Sequence, residues 1–334
     1  MKVLFDHPNP FGLAHGGFQI QIEQTKSALQ DAGVEVEFLR WWDVNQTGEI
    51  IHFFGRPPAT YIEFAHAQGI KVVIGELLGG LAARPAPYRL LQRLLIEGSR
   101  KILPPALTAK LAWEAYETAN AIVALTAFEA ELMIQMFRAP RQRVHVIPNG
   151  VEAEFFNSPA SMRGKWLVCT ATITERKRIV HLAQAAVQAQ TPLWVIGRAY
   201  TEDDPYFAKF GELHSAHPDI LRYDGAIDDR AQLARIYREA RGFVLLSSME
   251  SLSLSALEAS ACACPLLLSD LPWAKGAFGG QAGYCPVTEQ IEITARHLRE
   301  FYDHPNLLPP LPKSWPEVAR QIKIVYEGVL STSS

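Results

Sequence analysis

The chain has 334 residues, 48% of them hydrophobic and 20% charged, with 22 Gly and 22 Pro. At about 150 residues per domain this length suggests two domains, and the composition excludes a disordered or collagen-like chain. The formal net charge of −3 argues against a protein that holds nucleic acid on a global basic surface, so no nucleic-acid partner is expected.

In chain order, short apolar runs alternate with longer helical patterns. The N-terminus from Met1 to Asp6 reaches a charge and prolines too soon for a signal-peptide core, and no apolar run approaches the ~20 residues that span a bilayer. The expected location is therefore cytoplasmic, at most peripheral at the inner membrane face. Strands are expected at 3–5, 34–38, 50–54, 71–74, 121–125 and 144–147, then at 166–169, 193–196, 220–223, 243–246 and 265–268. Amphipathic stretches lie between them, such as Phe18, Ile22 and Leu29 before Gly33, or Leu233, Ile236 and Tyr237 before Gly242. Strands alternating with helices form βαβ units, hence parallel sheets covered on both faces. The series occurs twice, interrupted by Asn157-Ser158-Pro159-Ala160-Ser161-Met162-Arg163-Gly164, a run of linker composition. Two doubly wound domains are read at 1–156 and 164–314. A closing helix over 315–334, patterned by Trp315, Val318, Ile322, Val325 and Tyr326, is expected to pack back toward the first domain. Two such sheets facing each other would hold a ligand in the cleft between them, so functional motifs belong just after strands.

Three motifs occupy such positions. His15-Gly16-Gly17-Phe18 follows the first strand; its glycines let backbone approach a ligand, although an ordinary βα turn looks the same, and the dinucleotide fingerprint is missing. Glu175-Arg176-Lys177-Arg178 follows the strand at 166–169, where its cations suit a phosphate or diphosphate; a solvated charge cluster is the plainer alternative. Ser247 to Ala259 follows the strand at 243–246. Glu250 falls in the loop and a helix begins near Ser251 or Ser253, so the amides of Leu252, Ser253, Leu254 and Ser255 are expected as unpaired first-turn donors for a pyrophosphate or sugar oxygens. Glu258, further along, could accept from a vicinal diol such as a ribose. Neither glutamate has the look of a core residue. The four cysteines, Cys169, Cys262, Cys264 and Cys285, lack disulfide, redox or zinc spacing and read as small buried hydrophobes.

With its Glu-x7-Glu motif in Glu250-Ser-Leu-Ser-Leu-Ser-Ala-Leu-Glu258-Ala, the chain resembles retaining glycosyltransferases of family 4. The likeness covers nearly the whole length: Gly16-Gly17, Ile50-Ile51-His52, Ala119-Asn120-Ala121-Ile122-Val123, Val146-Ile147-Pro148-Asn149-Gly150-Val151 and Tyr223-Asp224-Gly225. It implies the α/β GT-B fold, two facing Rossmann-like domains, the first for an acceptor and the second for a nucleotide sugar. By the same resemblance Glu258 holds the ribose and Glu250 contacts the donor sugar. The stretch Ser251 to Ser255 holds sugar and phosphates, Lys177 and Arg176 hold the diphosphate, and Gly17 lets the first domain close on it. Glu250 and Lys177 are the residues assigned to catalysis. Such enzymes are thought to react by front-face displacement, the leaving phosphate oxygen taking the acceptor proton. No metal or other cofactor is expected, because Asp203-Asp204 and Asp228-Asp229 are adjacent pairs and no Asp-x-Asp occurs.

The chain departs from the family where Ala171-Thr172 replaces a usual Gly-Arg, leaving Arg176 or Arg178 as substitutes. Gly75-Glu76 stands where a histidine commonly faces the donor. Glu76 is therefore a candidate for the acceptor side, as are His15 and His52 at strand ends that would face the cleft, where a structural hydrogen-bonded histidine is the plainer alternative; His181, His214 and His217 read as helix-surface residues. The acceptor itself, whether glycan, lipid-linked or small molecule, is not specified. Between 84 and 110, Arg84, Arg89, Arg93, Arg100, Lys101 and Lys110 face only Glu97, interleaved with Tyr88, Leu90, Leu91, Leu94, Leu95 and Ile96. The ordinary reading is a helix with an apolar core face and a solvated basic face; the other is a basic amphipathic surface resting on anionic lipid. The rivals to a transferase are a degenerate nucleotide-binding or scaffold protein, and epimerisation or phosphorolysis on the same paired domains. Nicotinamide chemistry is disfavoured by the missing glycine fingerprint.

Overall fold

Strands that are apolar along their whole length can be satisfied only with helices on both faces, and this is what the apolar runs become. The computed structural model describes residues 1–8, 10–11, 16–104, 107, 111–156, 162–305 and 307–331, and it contains two six-stranded parallel sheets. The first holds β1 (Lys2–Asp6), β2 (Glu35–Phe38), β3 (Ile50–Phe53), β4 (Lys71–Gly75), β5 (Ala121–Ala124) and β6 (Val144–Val146), in the order β2-β1-β3-β4-β5-β6. Its helices are α1 (Gly17–Asp31), α2 (Ala59–Ala67), α3 (Gly79–Ala82), α4 (Ala86–Ile102), α5 (Ala115–Thr118) and α6 (Ala127–Phe137).

The second sheet holds β7 (Leu167–Thr170), β8 (Leu193–Ile196), β9 (Leu221–Tyr223), β10 (Gly242–Leu245), β11 (Leu266–Ser269) and β12 (Gly283–Cys285), ordered β12-β11-β10-β7-β8-β9. Its helices are α7 (Ile179–Gln188), α8 (Pro205–Ala216), α9 (Arg230–Glu239), α10 (Leu254–Ala261), α11 (Pro272–Phe278) and α12 (Ile291–Asp303). Eleven of these strands coincide with expected runs to within a residue or so at each end. The exception is β12, whose Gly-Tyr-Cys has no apolar run to betray it; pairing with β11 makes it a strand.

Two compact units result, Met1–Asn149 with Trp315–Ser334, and Gly150–Ser314. The expected boundary at 156 is corrected to Asn149/Gly150. Phe155 is fully buried against Tyr237 of α9, ring centroids 6.0 Å apart, so the segment from Gly150 to Phe156 belongs to the second core. Val151 pairs with Ser314, so the chain enters and leaves that unit side by side. The final helix, α13 (Trp315–Ser331), buries Trp315, Val318, Ile322, Val325 and Tyr326 within the first unit, packs along α1, and donates from Lys323 Nζ to the Ala32 carbonyl at 2.9 Å.

Three sequence expectations change on folding. The apolar side of α4 does not face the core: only Ile96 is buried, while Arg89, Gln92 and Arg100 point inward and the leucines outward. The three histidines read as surface residues are all half-buried. His181 bonds Thr294 Oγ1 at 2.8 Å between α7 and α12, and His214 stacks on Phe210. His52, placed at a strand end facing a cleft, is 1% exposed inside the first unit. It stacks on Phe54 with centroids 4.3 Å apart, and its Nδ1 meets the Tyr326 hydroxyl at 2.6 Å. The cysteines are buried and free, as their spacing suggests, and burial pushes Cys169, Cys262 and Cys264 to about 12 and Cys285 to about 11. No described helix is long and apolar enough to cross a membrane.

Burial lowers the His52 pKa from 6.5 to about 3, so the folded chain holds a neutral imidazole where the unfolded chain takes up a proton below pH 6.5. The contribution to stability is complete above pH 6.5 and is lost as pH falls from there toward 3. By pH 5 the loss is about 2 kcal/mol. Urea unfolding at pH 7.5 and pH 5 should show this component in the wild type, and a correspondingly flatter pH dependence in His52→Gln.

Candidate functional site in the second unit

In the second sheet the chain runs β7, β8, β9 outward to one edge, then returns to the middle and runs β10, β11, β12 to the other. The loops leaving β7 and β10 therefore diverge, and the crevice at the carboxyl ends of such neighbours is where doubly wound sheets bind ligands. Both cation and glutamate motifs lie in these two loops.

The loops are tied together. Ser248 N–H and Oγ both donate to the Arg176 carbonyl, at 2.9 and 3.1 Å, and Arg176 donates to the Met249 carbonyl at 3.0 Å. Glu250 then receives two cations on one oxygen: Lys177 Nζ at 2.5 Å and Arg176 at 3.1 Å. Lys177 and Glu250 are each about one-tenth exposed, whereas Arg176 is 41% exposed. Arg178 takes no part. Its left-handed backbone, φ 56°, turns the chain into α7 and sends the guanidinium to the Thr288 carbonyl and to Glu289 at 2.8 Å. Of the two arginines proposed to replace the family's, only Arg176 lies beside Glu250. The approach of β8 to the β7 loop requires Gly197: at φ +154° a Cβ there would lie 1.9 Å from the Ala171 carbonyl oxygen. In the same two loops the hydroxyl oxygens of Thr174 and Ser247 are buried without a hydrogen-bond partner, an uncommon state for polar atoms in a folded protein.

After Glu250, α10 starts at Leu254, the later of the two expected starts. Ser253 is the N-cap, its Oγ accepting from Ala256 N–H at 3.3 Å and lying 3.1 Å from Ser255 Oγ. Leu252 and Ser253 are buried and precede the first turn, so the amides that lack an intrahelical acceptor and a cap are those of Leu254 and Ser255. Ser251 is half-buried in the connecting loop.

Glu258, one turn further along, is 5% exposed, which corrects the expectation that neither glutamate is a core residue. It is held by Arg230, the first residue of α9, which also binds Glu152 through Nε at 2.8 Å and lies over the Phe155 ring at 4.8 Å. Burial pushes Glu258 above the usual carboxylate range, and Arg230 pulls against it. Burial opposes the Arg230 charge in turn, but Glu258 and Glu152 outweigh it and raise its pKa. Arg230 and Glu152 are absent from the sequence expectations: the apolar stripe reveals α9, but nothing local marks partners 28 and 78 residues away.

The first-unit candidates stand apart from one another in role. Gly16 caps α1 at φ +139° and Gly17 is its first residue; His15 lies outside the described residues. Glu76 is largely buried, accepts from the Tyr116 hydroxyl and lies 3.6 Å from Arg56 Nε; burial raises its pKa. Glu76, His52 and Asn149 line one cavity of about 20 Å³ inside this unit, and His52 Nε2 is buried there without a partner. Such a space suits a single water. Asn120, in a stretch that carries the family likeness, is structural: its Oδ1 accepts from Val72 N–H at 2.8 Å. Among the described residues no three His, Cys, Asp or Glu side chains are gathered as a metal-binding group.

Comparison with known proteins agrees with this architecture. Residues 151–321, just over half of the chain, match the model of the family described as glycosyl transferases group 1, and the chain belongs to that family. Residues 49–155 match that of glycosyltransferase family 4. Alpha-maltose-1-phosphate synthase of Mycobacterium tuberculosis is 29% identical over 173 residues, 46% of this chain; the chain spans 44% of that relative's length. Sucrose-phosphate synthase from Thermosynechococcus elongatus has the same fold, with TM-score 0.73 at 17% identity and 99% of both chains covered. HepE of Anabaena, solved with UDP and glucose, follows with TM-score 0.66 at 12% identity, again with 99% of both chains covered.

Replacing Arg230 by Met leaves Glu258 buried with no cation, which should cost about 3 kcal/mol in urea unfolding, whereas Arg230→Met/Glu258→Leu should recover most of the loss. Glu152→Gln, which leaves the Arg230–Glu258 pair intact, should cost about 1 kcal/mol or less.

Proposed function

We propose that this glycosyl transferase group 1 member transfers a sugar, with retention and without a metal, from a nucleotide sugar bound on its second unit to an acceptor hydroxyl. One observation supports this reading above the others: Lys177, Arg176, Glu250 and the start of α10 converge at the β7/β10 switch point, with Glu258 further along the same helix.

The chemistry suits each residue to one part of the donor. Glu258 is an acceptor-only group whose position Arg230 fixes, as a ribose diol requires. Lys177 and Arg176 supply positive charge for a diphosphate, and the amides of Leu254 and Ser255 add helix-terminal donors. Glu250 keeps both cations in place in the free protein and, with the donor bound, would accept from sugar hydroxyls. Ser251, Leu252 and Ser253 shape the loop between, and Gly17 offers backbone without a side chain for close approach. In the transfer the acceptor oxygen bonds to the anomeric carbon on the face from which the phosphate departs. The carbon–phosphate-oxygen bond breaks, and the acceptor proton passes to the leaving phosphate oxygen. The residues that assist are those that stabilise the developing diphosphate charge, Lys177 first among them. The acceptor class is left to the first unit, where Glu76 and His52 share an inner cavity with Gln21, Thr25 and Asn149.

The test is calorimetry and thermal shift with UDP, GDP, ADP and TDP and their sugar conjugates in chelator-treated buffer; the HepE complex makes UDP the first to try. One diphosphate should bind and stabilise the protein. Lys177→Ala should weaken that diphosphate about ten-fold or more while leaving the bare nucleoside unchanged, and Glu258→Ala should weaken both. Glu250→Ala should depress transfer more than affinity. Failure of every nucleotide to bind a folded wild-type protein overturns the reading; binding without turnover for any acceptor would return the degenerate-scaffold alternative.

A further inference from the structure

The helix α4 is built inside out for a protein core. At 100° per residue its large apolar side chains, Tyr88, Leu90, Leu91, Leu94, Leu95 and Ile102, fall on one continuous arc of about 160°. All six are more than half exposed, Leu94 and Leu95 at 61% and Ile102 at 82%. The opposite side is the one that packs. Ile96 is 3% exposed, Arg89 lies over the Phe128 ring at 5.0 Å, and Arg100 bonds Glu117 beside the Trp113 ring. Cations therefore anchor the helix to its own unit while leucines face outward, although exposing contiguous leucines is costly in water.

The charges around the arc indicate what covers it. Lys101 is exposed within the arc and, among the described residues, has no carboxylate in ion-pair range. Arg84 and Arg93 border it, and the one acid of the helix, Glu97, is shared between Arg93 at 3.6 Å and Arg138 at 3.9 Å. The surface is thus an apolar stripe about 21 Å long with a cationic rim. A second copy of the same face would bring these cations together. It would also offer a handful of side chains where a stable protein interface uses roughly 20–30 residues a side. An anionic bilayer meets both demands: acyl chains take up the leucines, and headgroups meet Arg84, Arg93 and the Lys101 ammonium at the end of its own apolar stem.

We propose that α4 seats the first unit on an anionic membrane surface, lying in the interface plane with Leu91 and Leu95 inserted and Arg93 and Lys101 at the headgroups. This holds whether or not the transferase reading does. The full-length protein should be sedimented with vesicles of phosphatidylcholine alone and of phosphatidylcholine with about one quarter phosphatidylglycerol, at low and high salt. It should bind the anionic vesicles at least about ten-fold more tightly, and salt should weaken that binding. Leu91→Ser/Leu95→Ser should reduce binding about ten-fold or more at unchanged thermal stability, because both side chains are already exposed. Arg93→Gln/Lys101→Gln should remove only the preference for anionic lipid. Absence of binding to either vesicle, or equal binding by the leucine variant, overturns the proposal. So does a wild-type dimer in sedimentation equilibrium that the same leucine substitutions dissociate, which would assign the face to a second copy.

Discussion

Between β7 and β10 the second sheet reverses the direction in which its strands are added, and a crevice at their carboxyl ends is the unavoidable result. Two loops that would otherwise follow their helices to opposite faces leave from adjacent strands. The Arg176 carbonyl, taking two bonds from Ser248, joins them, and Glu250 gathers the two cations above that joint. Gly197 permits the next strand to close against the β7 loop. A shift of either loop would separate Lys177 from Glu250, so the site depends on strand order before it depends on any one side chain.

Two glutamates eight positions apart are given opposite environments by that arrangement. Glu250 sits in the loop with two cations, one of them well exposed. Glu258 is buried on α10, and its charge is tolerable because Arg230 reaches it from α9. Arg230 is in turn steadied by Glu152 and the Phe155 ring. That link explains why the unit begins at Gly150: the residues just after the Asn149-Gly150 junction support the helix pair that carries Glu258. One carboxylate is paired at the rim of the crevice, the other inside the core of the unit.

The first unit puts its polar groups to structural use more than the sequence suggests. His52 secures α13 through Tyr326, and Asn120 closes the start of β4. Glu76 is engaged by Tyr116 and Arg56. Meanwhile α4 turns its leucines away from all of this. A helical period sorts side chains onto faces but does not say which face meets the core; here the aromatic rings of Phe128 and Trp113 receive arginines, and the apolar arc is left exposed.

The class of fold, the positions of eleven strands, the closing helix and the loops that hold Lys177, Glu250 and Ser253 are all legible along the chain. Each of these is encoded locally, as an apolar run of strand length, a 3.6-residue period or a capping residue. Folding adds β12, the boundary at Gly150, the outward face of α4, the withdrawal of Arg178 to Glu289 and the recruitment of Arg230, steadied by Glu152, to Glu258. Those outcomes rest on partners far apart in the chain, 111 residues for Arg178 and 78 for Glu152. A charge in a sequence carries no mark of which opposite charge it will meet: that choice is made by packing, which decides how much water each group loses and which partner is near enough to replace it.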